Sequence, residues 1–337
     1  MSGGESMSET IICVGGVVLE SIFNVDTIPG RGVKLMPRSA MQLASGMAPS
    51  AAASIVRLGG QASLWGACGN DANGRTVRQQ LSAEGIAVEA LVEVQGGVTA
   101  FSSILVDTRG ERLVVPYFDP TLRGAIHHLP AAEVGRAAAV LADVRWVEGA
   151  ELALRLARES SVPTVLDADV AAPEVLWQLL PLADHVLFSE PALQSLADGA
   201  PAHQALQFIV ARLPKAQVIG VTLGSDGALI WARQGDPVLA HYPGHAVRVV
   251  DTLNAGDVWH GAYALGLVRA MPLAQRVQFA NAAAAIKCER PWGRLGAPTL
   301  REVCARLEST PPMALDALRL FQQGLPPRLP NDGPHLL

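Results

Sequence analysis

Short apolar runs bounded by turn residues alternate along the chain with longer segments whose apolar positions recur at helical spacing. That alternation marks a mostly parallel sheet covered by helices on both faces, because strands buried on both sides read as continuous apolar runs. Strands are predicted over residues 11–19, 62–69, 163–168, 185–188 and 217–222, and helices over 48–58, 72–84, 150–160, 173–180 and 202–213. The fold class expected is doubly wound α/β.

Two stretches break the alternation. Residues 98–106, the turn Asp107-Thr108-Arg109-Gly110 and residues 112–118 read as a β-hairpin, since a Gly-containing turn joins two runs rich in β-formers. Residues 19–43 are too poor in helical pattern to form a crossover helix. Together they predict a small accessory sheet able to cover a site on the main sheet. A second hairpin is expected where residues 220–224 meet 228–232 through Ser225-Asp226-Gly227. From about residue 310 the chain is Pro-rich and ends PPRLPNDGPHLL, which forbids a regular terminal element and predicts a surface-wrapping or disordered tail.

Composition makes the chain a folded protein: of 337 residues, half are apolar and 17% charged, and the length suits one large α/β domain or two average ones. The net charge of −5 argues against a nucleic-acid or acidic-membrane partner, so an anionic ligand would have to be held by a few placed groups. Cys13, Cys68, Cys288 and Cys304 show neither CxxC pairs nor metal-ligand spacing, and a chain this large needs no disulfide staples. With an N-terminus lacking secretory features and no apolar stretch of membrane-spanning length, a cytoplasmic location is expected.

The segment carrying chemistry is V-V-D-T-L-N-A-G-D-V-W-H-G-A, residues 249–262. A strand-like entry runs into a turn of small residues and then a helical run over 258–268. The first turn of a helix leaves N–H groups unpaired and its dipole favours an anion there. Ala255 and Gly256 would let a phosphate approach those N–H groups, with Asp257 beside it at the helix start. The plainer alternative makes Asp257 an N-cap and Asp251 a turn residue.

This segment resembles the D-T-x-G-A-G-D-x-F signature of the PfkB, ribokinase-like carbohydrate kinases, with Asn254 in place of the first Gly. The resemblance runs from about residue 10 to 309, through V-R-L-G-G at 56–60, G-A-C-G-N-D-A-N-G at 66–74, V-T-L-G-S-D-G-A at 221–228 and A-N-A-A-A-A at 280–285. It implies a three-layer α/β/α sandwich with a mostly parallel sheet and a small β-sheet lid, formed by segments of about 19–43 and 98–118 inserted in one kinase domain. It also implies ATP-dependent phosphorylation of a sugar hydroxyl, with Asp257 as base and the Asn254, Ala255 and Gly256 turn as anion hole. Thr222, Gly224 and Gly227 would border the nucleotide, Asn281 would lie near the purine, and Glu20 and Gly46 would meet the sugar. Mg²⁺ is implied, with Glu190 the nearby carboxylate; K⁺ is an optional further cofactor and a homodimer the implied assembly.

V-L-A-D-V-R-W at 140–146, T-V-L-D-A-D at 164–169, F-S-E-P at 188–191 and the tract I-K-C-E-R-P at 286–291 resemble the sulfofructose kinase branch. Lys34 and Arg145 match positions that branch uses for an anionic substrate group, and a forked guanidinium suits a sulfonate or phosphate. The alternative is a solvated Lys34 and an Arg145 paired with Asp143 or Asp167. Three departures touch the substrate or phosphate sides, Asn254 for Gly, Glu20 for a usual Asp and Ser45-Gly46 for Gly-Gly; F-S-E-P replaces the N-x-x-E that helps organise the Mg²⁺ water shell, and Pro116 stands where the sulfofructose branch has a polar residue. A nucleoside kinase, or a ligand-binding relic without turnover, stands as the alternative function. His260, the pair His127-His128, and Trp146, Trp177 and Trp231 read as packing or surface residues.

Overall fold

A computed structural model of the chain describes residues 9–233 and 238–309, so the tail expected from residue 310 lies outside the described residues. Nine strands form one sheet: β1 (Thr10–Val14), β4 (Gln61–Gly69), β5 (Leu91–Val94), β8 (Ala139–Asp143), β9 (Thr164–Ala168), β10 (His185–Ser189), β11 (Val218–Thr222), β12 (Ala228–Ala232) and β13 (Val238–Tyr242). Their order is β13-β12-β11-β10-β9-β8-β1-β4-β5, and only the pairings of β12 with its neighbours are antiparallel. The chain grows from β1 toward β5 and then returns to the other side through β8. Between β1 and β8 the crossovers diverge, which opens a crevice at the carboxyl ends of those strands.

Both faces of this sheet are covered. Along β1, Ile11 and Cys13 join one core with Ile12 and Val14 on the other side, as a two-residue side-chain period requires. The first core packs under α1 (Met47–Arg57), α2 (Ala72–Ala83), α7 (Ala255–Val268), α8 (Leu273–Cys288) and α9 (Leu300–Glu308). The second packs under α3 (Val147–Glu159), α4 (Pro173–Leu179), α5 (Glu190–Leu196) and α6 (Ala202–Arg212), and includes Trp146 and Trp231.

One predicted strand divides in two. The apolar run 11–19 is β1 plus the start of β2 (Val18–Asn24), which belongs to a second, four-stranded sheet with β3 (Ser39–Ser45), β6 (Phe101–Val106) and β7 (Arg112–Tyr117), in the order β3-β2-β6-β7. The break falls at Gly15, where a Cβ would overlap the carboxylate of Asp143 at the end of β8. Hydrophobic pattern alone cannot see this break, because both strands are buried. The accessory hairpin and the β11–β12 hairpin form where the turns predict them.

Helix α7 is buried almost all round, from Asp257 to Gly266, which marks a helix enclosed by the core rather than lying on it. It crosses α1 closely enough that a Cβ on Gly261 would overlap the carbonyl of Ala51, and Ser54 Oγ donates to Val258 O at 3.0 Å. The small-residue run Ala51-Ala52-Ala53-Ser54 is thus the face that lets α7 sit deep. Gly261→Ala is expected to cost about 1–3 kcal/mol by overpacking. Urea denaturation checks this, with Gly30→Ala, in open space, as the control that leaves the midpoint unmoved.

Candidate active site

The turn that starts α7 is built by one residue in a left-handed conformation. Asn254 has φ 61° and caps α7, so the helix begins at Ala255, three residues earlier than its apolar pattern indicates. Asn tolerates this region better than other non-Gly residues. The early start corrects the plainer view of Asp257: it is the third helical residue, 8% exposed, and not the cap. Its carboxylate accepts from Asn254 Nδ2 at 2.7 Å. Above the turn a Cβ added to Gly256 would meet nothing within 4 Å, leaving the first-turn N–H groups approachable.

Asp257 is one of several acids gathered where β8 and β9 end beneath α7. Burial pushes its carboxyl well above the usual range, and the charge of Asp167 pushes the same way, opposed by the Asn254 amide. Asp167 is raised for the same first reason, with Asp169 and Asp143 adding to it. Asp143, raised to about 6 by burial, accepts from the backbone N–H groups of Arg145 at 2.7 Å and Ala48 at 3.0 Å, and so caps the start of α1. His260 is no bystander: its Nδ1 lies 2.8 Å from Gly256 O and 3.1 Å from Asp167 Oδ2. Sequence reasoning missed Asp143, Asp167 and His260 as members of the site. The available signal was an Asp at or next to the end of each of two apolar strands.

On the other side of the crevice the small sheet supplies polar groups. Glu20 pairs in register with Ser102, which pairs with Pro116 across to β7. Glu20 Oε2, Ser102 Oγ and Asn254 Oδ1 are buried without a hydrogen-bond partner among the described residues. Each such atom costs about 1–3 kcal/mol unless something satisfies it. Burial raises the Glu20 carboxyl, while the Ser45 hydroxyl lies against that carboxylate and opposes the rise. Gly46, φ 122°, packs so that a Cβ would overlap Gly16 O, bringing the Ser45-Gly46 turn against the end of β1. Arg112 on β7 donates to Thr252 Oγ1 at 2.6 Å, linking the small sheet directly to the turn. A cleft of about 610 Å³ lies between them, lined by Ile22, Val106, Arg112, Val250, Thr252 and Trp292.

Arg145 has a partner, but a different one from either predicted: its guanidinium meets Asp169 Oδ2 at 2.7 Å and Val170 O at 2.8 Å. It also borders a pocket of about 380 Å³ with Gly16, Phe118, Arg123 and Trp146. Lys34 is exposed in the segment between β2 and β3. Thr222 ends β11, and Gly224 and Gly227 turn the chain with φ 56° and 88°. Asn281 is buried and internally committed, accepting from Trp259 Nε1 at 2.7 Å and donating to the carbonyls of Tyr242 and Pro243 at 3.1 Å. Glu190 opens α5, and Ser189 Oγ beside it donates to Asp169 Oδ1 at 2.8 Å. Among the described residues no three ligating side chains cluster as a metal cage, and no helix is long and apolar enough to cross a membrane.

The model of the pfkB family carbohydrate kinases matches residues 8–300. A mouse ribokinase is 26% identical over 276 residues, spanning 78% of this chain and 83% of its own. An ATP-dependent ribose-1-phosphate kinase of Halopiger xanaduensis is 26% identical over 311 residues, spanning 88% and 97%. A provisionally assigned ribokinase from Agrobacterium tumefaciens superposes in its crystal structure with a TM-score of 0.84 at 37% identity, covering 94% of this chain and 99% of that one. The small second sheet, the mostly parallel main sheet and the D-T-L-N-A-G-D turn at the helix start agree with that match: the chain belongs to the pfkB family of carbohydrate kinases, ATP-dependent phosphotransferases.

Proposed function

We propose that this kinase phosphorylates a hydroxyl of a small sugar bearing an anionic group, a sulfofructose-like sulfonate or a sugar phosphate, with Asp257 as the base. The observation that carries the reading is the Asp257 carboxylate in the first turn of α7, beside approachable N–H groups and oriented by Asn254. In phosphoryl transfer the protein mainly aligns reactants and neutralises charge on the moving group. The N–H groups of Ala255, Gly256 and Asp257, with the helix dipole, hold the γ-phosphoryl; Asp257 takes the hydroxyl proton. Thr222, Gly224 and Gly227 border the nucleotide, and Asn281 lies near its purine, fixing the end of β13 at Tyr242 and Pro243.

Glu20, Ser45, Gly46 and Ser102 receive the sugar, whose hydroxyls satisfy the buried atoms left unpaired in the chain. The sheet of β2, β3, β6 and β7 acts as a lid within one kinase domain over residues 10–309, excluding water from the transfer. The anionic group meets Arg145, with Lys34 assisting as a flexible charge; a named relative acting on ribose 1-phosphate supports a charged sugar. Mg²⁺ would be held on the side of Glu190, the carboxylate that opens α5, where it would neutralise phosphate charge. We place the protein in the cytoplasm as a homodimer, for which the outer strand β7 offers exposed Leu113, Val114, Val115 and Tyr117.

Assaying ATP consumption with sugar phosphates, sulfosugars, aldonates, neutral sugars and nucleosides tests the substrate class; preference for a neutral sugar or a nucleoside would overturn it. Asp257→Asn is expected to lower kcat by on the order of 10² or more with ATP KM and melting unchanged, and an unimpaired variant would remove the proposed base. Asp257 accepts a proton only when ionised, so activity falls as pH drops through its raised pKa. Asp167→Asn removes a charge that raises that pKa, so the acid limb of the pH–rate profile should move to lower pH. Arg145→Ala should weaken binding of an anionic sugar by about 1.5–3 kcal/mol, read as KM, and leave neutral sugars and ATP nearly untouched. Equal losses on both would make Arg145 a structural partner of Asp169.

A further inference from the structure

Lysine is rarely wholly enclosed, because an ammonium taken from water costs several kcal/mol unless it is paired and hydrogen-bonded. Lys287, one residue before the end of α8, has no exposed surface. Its Nζ lies 3.0 Å from Asp251 Oδ2 and donates to Asp251 O at 2.7 Å. Burial lowers the ammonium's pKa and the Asp251 carboxylate opposes that shift. A carbonyl and a carboxylate of one residue thus converge on a single positive charge.

Asp251 is the first residue of the D-T-L-N-A-G-D turn and the point where three segments are joined. Its Oδ1 accepts from Leu253 N at 2.8 Å and its Oδ2 from Gly293 N at 2.8 Å. The backbone N–H groups of Val250 and Asp251 donate to Cys288 O at 2.8 and 3.1 Å. Gly293 in turn packs against the turn, since a Cβ there would stand 2.5 Å from Asn254 Oδ1. The charge at Lys287 therefore holds Asp251, Asp251 holds Leu253 and Gly293, and these fix the left-handed Asn254 that starts α7. Without a cation at that point, the carboxylate and carbonyl would face each other across a buried gap and the turn would lose its anchor.

A soluble monovalent cation could neutralise such a pair of oxygens, and K⁺ is close in size to an ammonium ion. The point where those oxygens converge is filled by Nζ, so the residues present do not fit K⁺ there. We propose that Lys287 is a built-in cation that positions the anion-binding turn, so that this kinase turns over without K⁺ or any other monovalent cation. The proposal rests on the turnover reading above for its kinetic arm only.

The experiment compares the full-length protein and Lys287→Ala in KCl, NH₄Cl, NaCl and tetramethylammonium chloride at equal ionic strength, by kcat and by thermal melting. The unchanged protein should give the same kcat and melting temperature in all four salts. In tetramethylammonium chloride Lys287→Ala should lose about 10²-fold in kcat, the scale of a small misplacement of a reacting group. KCl or NH₄Cl should restore most of that loss and raise the variant's melting temperature selectively. Stimulation of the unchanged protein by K⁺, or a variant whose melting and rate are alike in every salt, would overturn the proposal. Should Lys287→Ala fail to fold, Lys287→Ser also vacates the point where the Asp251 oxygens converge and faces the same comparison. A protein that transfers no phosphoryl group to any sugar would sink the activity proposed above, and the melting arm would still decide the role of Lys287.

Discussion

A carboxylate cannot be buried beside other carboxylates without compensation, and Asp257 is buried beside Asp167 and Asp143. The surrounding structure answers that constraint. The Asn254 amide donates to the Asp257 carboxylate, Asp143 is occupied by backbone N–H groups at the start of α1, and Asp167 faces the imidazole of His260. None of these partners is free to move alone. Asn254 is fixed by its left-handed turn, Asp143 by β8, and His260 by the same helix that carries Asp257. A raised pKa at Asp257 is thus a property of how α7 is seated, and the small residues of α1 that seat it belong to the candidate site as much as to the core.

Much of the fold was legible because its signals are local. Strands buried on both faces read as apolar runs, and the helices of the main layers fall within a few residues of their periodic segments. Where prediction failed, long-range geometry had decided. Residues 11–19 look like one strand until Gly15 is seen to make room for Asp143, a residue 128 positions away in sequence. The start of α7 was set three residues early by the conformation of Asn254, for which the sequence offers only a residue type able to adopt it.

The candidate site was legible in the turn before α7 and less so elsewhere. The D-T-L-N-A-G-D turn announces itself because helix start, small residues and carboxylate are contiguous. Asp143, Asp167 and His260 are joined by the lateral order of strands, which no local pattern encodes. Arg112 shows the same limit: nothing near it in sequence reveals that it reaches Thr252. Arg145 illustrates the converse, a cation whose sequence context suggested a charged ligand and whose nearest anion within the chain is Asp169.

The C-terminal part of the kinase domain explains how two halves of the crevice stay in register. Arg294, fully buried, donates from Nε to Ala44 O at 2.6 Å and pairs with Glu84, so the loop after α8 grips β3 next to the Ser45-Gly46 turn. Gly293 of that loop holds the other half through the Asp251 carboxylate, which Lys287 in the last turn of α8 also meets. A net charge of −5 leaves few cations to spare, and two of them are enclosed here with no solvent contact. Buried ion pairs are poor sources of stability compared with well-packed apolar groups, so their presence is better explained by the alignment they enforce. One loop thus contacts both the Ser45-Gly46 turn of the small sheet, through Arg294, and the turn that starts α7, through Gly293. The two sides of the crevice are held as a single unit by charge as well as by packing.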